Sequence, residues 1–131
     1  MARDREHRTA TRIAVATGVI FVIAGLPKFV AFHWEVANFT RFGLPAPAVW
    51  VVAAGIIEIV GGAMLIARRC VTGASLVLAA TMAVAIGVSG IHRGDVVPSL
   101  TVAPALLVAC IYLAVDARRR DGARRAVEDL G

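Results

Sequence analysis

Charge is scarce in this chain. Only 18% of its 131 residues are Asp, Glu, Lys or Arg, while 59% are hydrophobic and the mean hydropathy is +0.78. That balance excludes an ordinary soluble domain. Cysteine is nearly absent too: Cys70 and Cys110 are the only two, and no CxxC links them, which argues against autonomous thiol oxidation. The sequence also lacks Cys/His metal spacing, a glycine-rich phosphate loop beside a strand, and a Ser-His-Asp motif, since Gly61-Gly62 falls inside an apolar run without the required strand. No metal is expected, and no self-sufficient active site of the soluble type. A pI of 10.6 suggests nucleic acid at first sight, but the basic residues fall in three separate segments without aromatic interleaving, so nucleic acid is excluded as a partner.

What the chain does have is four apolar stretches, at residues 13–32, 49–67, 71–91 and 96–115. Each can cross a hydrocarbon core about 30 Å thick, and in lipid every backbone group must be paired internally, so the stretches are predicted to be helices. The expected fold is all-α, a polytopic membrane protein with a bundle of four transmembrane helices spanning 13–115. A basic N-terminus, 1–12, and a basic tail, 116–131, flank it. The first stretch follows an arginine-rich start, as a signal peptide does, but Pro27 and Lys28 stand where small cleavage-site residues belong, so it is read as a retained helix. Arg68 and Arg69 lie in a connection so short that the second and third helices must be antiparallel neighbours. The longer segment 33–48 is read as a polar loop with a constrained turn at Gly43-Leu44-Pro45-Ala46-Pro47.

Of 14 cations, 11 flank the bundle on one side, leaving Lys28, Arg41 and Arg93 for the other. The positive-inside rule makes the crowded side cytoplasmic, with both termini there, and its arginines suit anionic lipid. Trp34 and Trp50 then fall at the outer headgroups and Tyr112 near the inner ones, as amphipathic rings prefer. Cys70 falls at the cytoplasmic turn and is read as an incidental free thiol, and Cys110 falls within the fourth helix and is read as apolar packing, with a vicinal thiol switch as the alternative.

Glu58 is the residue that most requires explanation. It stands near the middle of an otherwise uncharged apolar stretch, where an ionised group costs several kcal/mol unless it faces the bundle interior and finds a partner. Gly55, Gly61 and Gly62 share its helical stripe, allowing another backbone to approach. Ala14 and Gly18 in the first stretch, and Ala79, Ala83 and Gly87 in the third, repeat such small-residue spacing. At about 1.5 Å per residue, Lys28 lies about 6 Å below the outer end of the first helix and Glu58 about 14 Å below the outer start of the second. A lysine stem spans much of that gap, and Pro27 can bend the first helix beside it. Two readings stay open for the lysine, snorkelling to the headgroups or pairing with Glu58. Around the same mouth lie His33, Glu35, Arg41, His92, Arg93 and Asp95. Glu58 and Lys28 are the candidate catalytic residues, and Arg41, His92 and Trp50 the candidate ligand-binding ones.

Several motifs coincide with these positions: Arg12 and Gly18, the run 21–28 (FVIAGLPK), the segment from Phe39 through Phe42-Gly43-Leu44-Pro45, and the run 58–65 (EIVGGAML). Together they resemble the DoxX family over residues 12–115, with the later part matching in hydropathy and length alone. The resemblance implies a small bacterial inner-membrane protein of four helices. Members of that family include a subunit of thiosulfate:quinone oxidoreductase and a membrane partner of secreted thiol-handling and superoxide-removing enzymes. It therefore implies a redox role, with a quinone or similar lipid-soluble carrier near Lys28 and Glu58, no covalently held cofactor, and a redox enzyme as partner. The competing expectation is a non-enzymatic scaffold or assembly factor. A small transporter or lipid-binding protein ranks below both, since no inverted repeat is recognisable. Glycine-rich faces leave room for a homo-oligomer.

Overall fold

A computed structural model describes residues 1–91 and 97–131 of the chain, and the side chains of 1–88 and 103–131. The residues it describes form α-helices joined by turns: α1 (Ala2–Gly25), α2 (Pro27–Val30), α3 (Phe32–Arg41), α4 (Pro47–Ile66), α5 (Val71–Ile91) and α6 (Val97–Glu128). The chain is an all-α membrane bundle of four long helices, as the hydropathy pattern predicts. Among the described residues three spans are long and apolar enough to cross a membrane, Ala2–Val30, Pro47–Ile66 and Val71–Val88, and α6 packs along α5 as the fourth long helix.

The helices extend further than the apolar stretches. α1 begins at Ala2 rather than near 13, because the opening residues are good helix formers with no proline or glycine before Gly18. The hydroxyls of Thr9 and Thr11 donate back to the carbonyls of Arg5 and His7, both at 2.9 Å, so their polarity is absorbed within the helix. At the other end α6 runs on to Glu128 through a tail rich in Arg and Ala, with the Arg120 guanidinium gripping Asp116 one turn back.

The segment 33–48 contains a helix that the sequence reading took for loop. Phe32, Glu35, Val36, Asn38 and Phe39 form the half-buried side of α3, while His33, Trp34, Ala37, Thr40 and Arg41 are exposed. An amphipathic helix of this length shows a polar composition even though one face is apolar. It lies against α4. The expected tight turn does follow it. Gly43 takes up a left-handed conformation (φ 68°) after the last turn of α3, and its N–H donates to the Thr40 carbonyl at 3.0 Å. Ala46 is also left-handed (φ 50°, ψ 58°), held between Pro45 and Pro47, and Pro47 opens α4 with its φ already set.

Two helix pairs build the bundle. α1 packs on α4 and α5 on α6; the pairs meet through α4 with α5 and, less extensively, α1 with α6. Between them lies a core of Ala14, Phe21, Leu65, Leu78, Met82, Leu106, Cys110 and Leu113 among others. The α1–α4 seam is set by glycine. A methyl group on Gly18 would stand 2.5 Å from the Gly62 carbonyl oxygen, and one on Gly62 would stand 2.6 Å from that of Gly18, so the backbones touch there. Gly25 meets Gly55 in the same antiparallel register two turns along. The small-residue spacing on α5 behaves differently: Ala79 is buried, but Ala83 and Gly87 are exposed, and nothing lies within 4 Å of a methyl placed on Gly87.

Candidate functional site

Lys28 and Glu58 meet at the far end of the glycine seam. The Lys28 ammonium lies 2.9 Å from Glu58 Oε2, and both side chains are largely withdrawn from the surface, 13% and 6% exposed. Of the two readings open for the lysine, the structure contains the pairing. Local chain chemistry explains how the ammonium reaches inward. Pro27 has no N–H for the Ile23 carbonyl, so the helical ladder is interrupted there, and Lys28 Nζ donates to the carbonyl of Ala24 at 3.4 Å as well as contacting the carboxylate. The chain stays helical through Leu26 (φ −59°, ψ −45°), which keeps Lys28 on the side of α1 that faces α4. It turns only at Ala31 (φ −110°, ψ 40°), before α3.

On α4 the carboxylate is placed by the close approach of the helices. A methyl on Gly25 would lie 3.3 Å from Glu58 Cβ and 3.2 Å from the Gly55 carbonyl oxygen. One on Gly55 would lie 3.2 Å from Lys28 Cβ and 2.7 Å from the Phe29 ring. The pair therefore sits in a gap only as wide as two glycines permit, with Phe29 beside it. The N–O contact is short, and buried Oε2 has no partner besides Lys28 among the described residues. Such an oxygen has acceptor capacity left over.

Arg41 and Trp50, the other described candidates, are exposed, Arg41 in the last turn of α3 and Trp50 in the first turn of α4. Neither is joined to the pair by an ion pair or hydrogen bond among the described residues. His92, with Arg93 and Asp95, lies outside the described residues. Sequence reasoning gave too little weight to Glu35, half-buried on α3 and close enough for its charge to act on Glu58, and did not single out Phe29. The signal for Glu35 was the helical stripe of Phe32, Val36 and Phe39, which turns position 35 towards α4. No cluster of three metal-ligating side chains occurs among the described residues.

With this geometry in view, the wider relationship is plain: the DoxX family model matches residues 9–91, more than half of the chain, and the protein belongs to that family. The match takes in α1 to α5, and so both members of the ion pair. It ends before α6, within the second half of the chain, where the resemblance rested on hydropathy and length. Neither a curated protein nor a solved structure matches the chain.

Proposed function

We propose that this DoxX-family membrane protein is a component of an oxidoreductase system and holds a quinone or similar lipid-soluble carrier against the Lys28–Glu58 pair. The observation that carries the reading is a buried carboxylate oxygen whose one partner among the described residues is an ammonium, with both groups on helices apolar enough to cross a membrane. The donor set suits such a headgroup. An ammonium gives hydrogen bonds to a ring carbonyl, a carboxylate accepts from a ring hydroxyl, and the Phe29 ring offers an apolar face next to both. The carrier supplies the two-electron chemistry when bound. The protein's own residues do the rest. Lys28 orients the ring oxygen and offsets negative charge on it; Glu58 exchanges a proton with the ring, and Glu35 stands close enough for its charge to act on that carboxyl. Electrons are delivered to the carrier by a redox enzyme, which this reading requires as partner. The same reading places the chain in a bacterial inner membrane with both termini cytoplasmic, as a subunit joined to that enzyme, to further copies of itself, or to both.

A second reading is supported by the closure of the pair on itself. Lys28 and Glu58 satisfy much of each other's charge, so they can serve simply to fix α1 against α4 in a scaffold for another protein. Two substitutions separate the readings. In native membranes reconstituted with the co-purified redox enzyme, Glu58→Gln keeps the shape and an acceptor for Lys28 but cannot carry a proton. Carrier turnover should be lost in Glu58→Gln and Glu58→Ala alike, with the bundle still folded in the former. Retained turnover in Glu58→Gln sinks the redox site and leaves the scaffold.

A further inference from the structure

The opposite end of the bundle carries a second feature. The opening turns of α1 and the last third of α6 enclose an open-sided cleft of about 780 Å³, lined on one side by Arg3, Glu6 and His7 and on the other from Tyr112 to Arg124. Its two acids are not equivalent. Asp116 is engaged by Arg120 of the same helix, whose Nε and Nη2 reach the carboxylate at 3.0 and 3.2 Å. Arg3, Arg119 and Arg124 make no ion pair among the described residues, and Glu6 is the only acid of the lining left to face them. Three unpaired guanidiniums around one hollow form a fork-shaped donor set suited to a phosphate group.

The floor of the cleft fixes the kind of phosphate. Tyr112 and Val115 close the apolar run of α6, and Asp116 begins its polar extension, so the cleft straddles the boundary between hydrocarbon and headgroups. We propose that this cleft is a binding site for an anionic phospholipid, its phosphate held by Arg3, Arg119 and Arg124 and its upper chain lying on Tyr112 and Val115. Basic pockets between helix ends at a membrane surface recognise such headgroups by charge, and a zwitterionic lipid brings its own cation into the hollow. The proposal needs only that both termini end at one membrane surface, and it is independent of any redox role for Lys28 and Glu58.

The test uses the full chain, purified and stripped of lipid in mild detergent. Phosphatidylglycerol or phosphatidylcholine is added in mixed micelles, and bound lipid is counted by native mass spectrometry. Phosphatidylglycerol should bind at least about tenfold more tightly, from three unpaired guanidiniums partly offset by Glu6. The variant Arg119→Gln/Arg124→Gln should lose most of that preference, while Arg8→Gln/Arg12→Gln, which removes as much charge outside the lining, should keep it. Equal loss in both variants, or no preference in the unaltered chain, overturns the site. Displacement by millimolar inorganic phosphate alone overturns the lipid assignment in favour of a free-phosphate site. If the arginine variant does not fold, a photoactivatable phosphatidylglycerol on the unaltered chain decides. Labelling within residues 112–124 supports the site, and labelling confined to other segments overturns it.

Discussion

Breaking the Lys28–Glu58 pair from one side should be far more damaging than removing it whole. Unit charges 2.9 Å apart attract by about 6 kcal/mol at an effective dielectric of about 20, before either group's desolvation is counted. Replacing Glu58 by Leu leaves the ammonium buried with only the Ala24 carbonyl at 3.4 Å, and replacing Lys28 by Met leaves the carboxylate with nothing opposite. Either change should cost about 3–5 kcal/mol, whereas Lys28→Met/Glu58→Leu together should lie within about 1–2 kcal/mol of the unaltered protein, because no uncompensated charge remains. The assay is reversible unfolding by SDS in mixed micelles, followed by helix content and by the accessibility of Cys110, which is fully buried when folded. From the four chains a double-mutant cycle gives a coupling energy, expected from these costs to be at least about 4 kcal/mol. Additive single changes, with coupling below about 0.5 kcal/mol, would refute the reasoning, for then the contact contributes nothing beyond its two parts.

Other outcomes follow from the same geometry. Gly18→Ala or Gly62→Ala drives a methyl into a facing backbone oxygen and should cost about 2–3 kcal/mol, whereas Gly73→Ala and Gly87→Ala, with nothing within 4 Å, should change stability by less than about 1 kcal/mol in the same titration. Ala46→Gly should stabilise the protein by up to about 1 kcal/mol by relieving a left-handed alanine, and Gly43→Ala should cost about as much in the opposite direction. A membrane-impermeant maleimide should label exposed Cys70 in the folded protein and reach Cys110 only after unfolding. In sealed vesicles of known orientation it should label Cys70 from the cytoplasmic face alone, and labelling from the other face would reverse the topology proposed above.

Much of this architecture was legible in the residues, because the membrane makes strict demands. A span must be long and apolar, its backbone must be helical, and a charge within it must turn inward; the stretch around Glu58 obeys all three, and depth and stem length put Lys28 within its reach without choosing between pairing and snorkelling. What was hidden came from places where these demands lapse. The start of α1 and the end of α6 are polar and exposed, so hydropathy falls silent there and helix propensity takes over, and Ala2 and Glu128 were invisible to a search for apolar runs. α3 was hidden because an interfacial helix shows half its residues to water, and the polar half read as loop. On α5 the spacing of Ala79, Ala83 and Gly87 suggested a packing face that turned out to be largely exposed. Small-residue spacing marks a face on which a helix can be approached and does not fix which neighbour arrives.

The ion pair and the glycine seam are best regarded as one physical unit. An isolated lysine at the end of α1 would gain by extending along the surface to the headgroups, since its stem is long enough and the charge stays hydrated. Three neighbours reverse that preference. Pro27 removes the N–H that would have bonded the Ile23 carbonyl, and in the turn it interrupts Nζ finds the Ala24 oxygen. Gly25 lets α4 come close enough for Glu58 to stand opposite, and Gly55 makes room for the stem of Lys28 itself. A methyl at either glycine would press on the side chain of Glu58 or Lys28 directly, so enlarging the seam would also separate the charges. The G-x-x-K end of the first helix and the E-x-x-G-G core of α4 thus serve a single requirement, that a buried ammonium and a buried carboxylate be brought within 3 Å by backbones close enough to exclude the bilayer from between them.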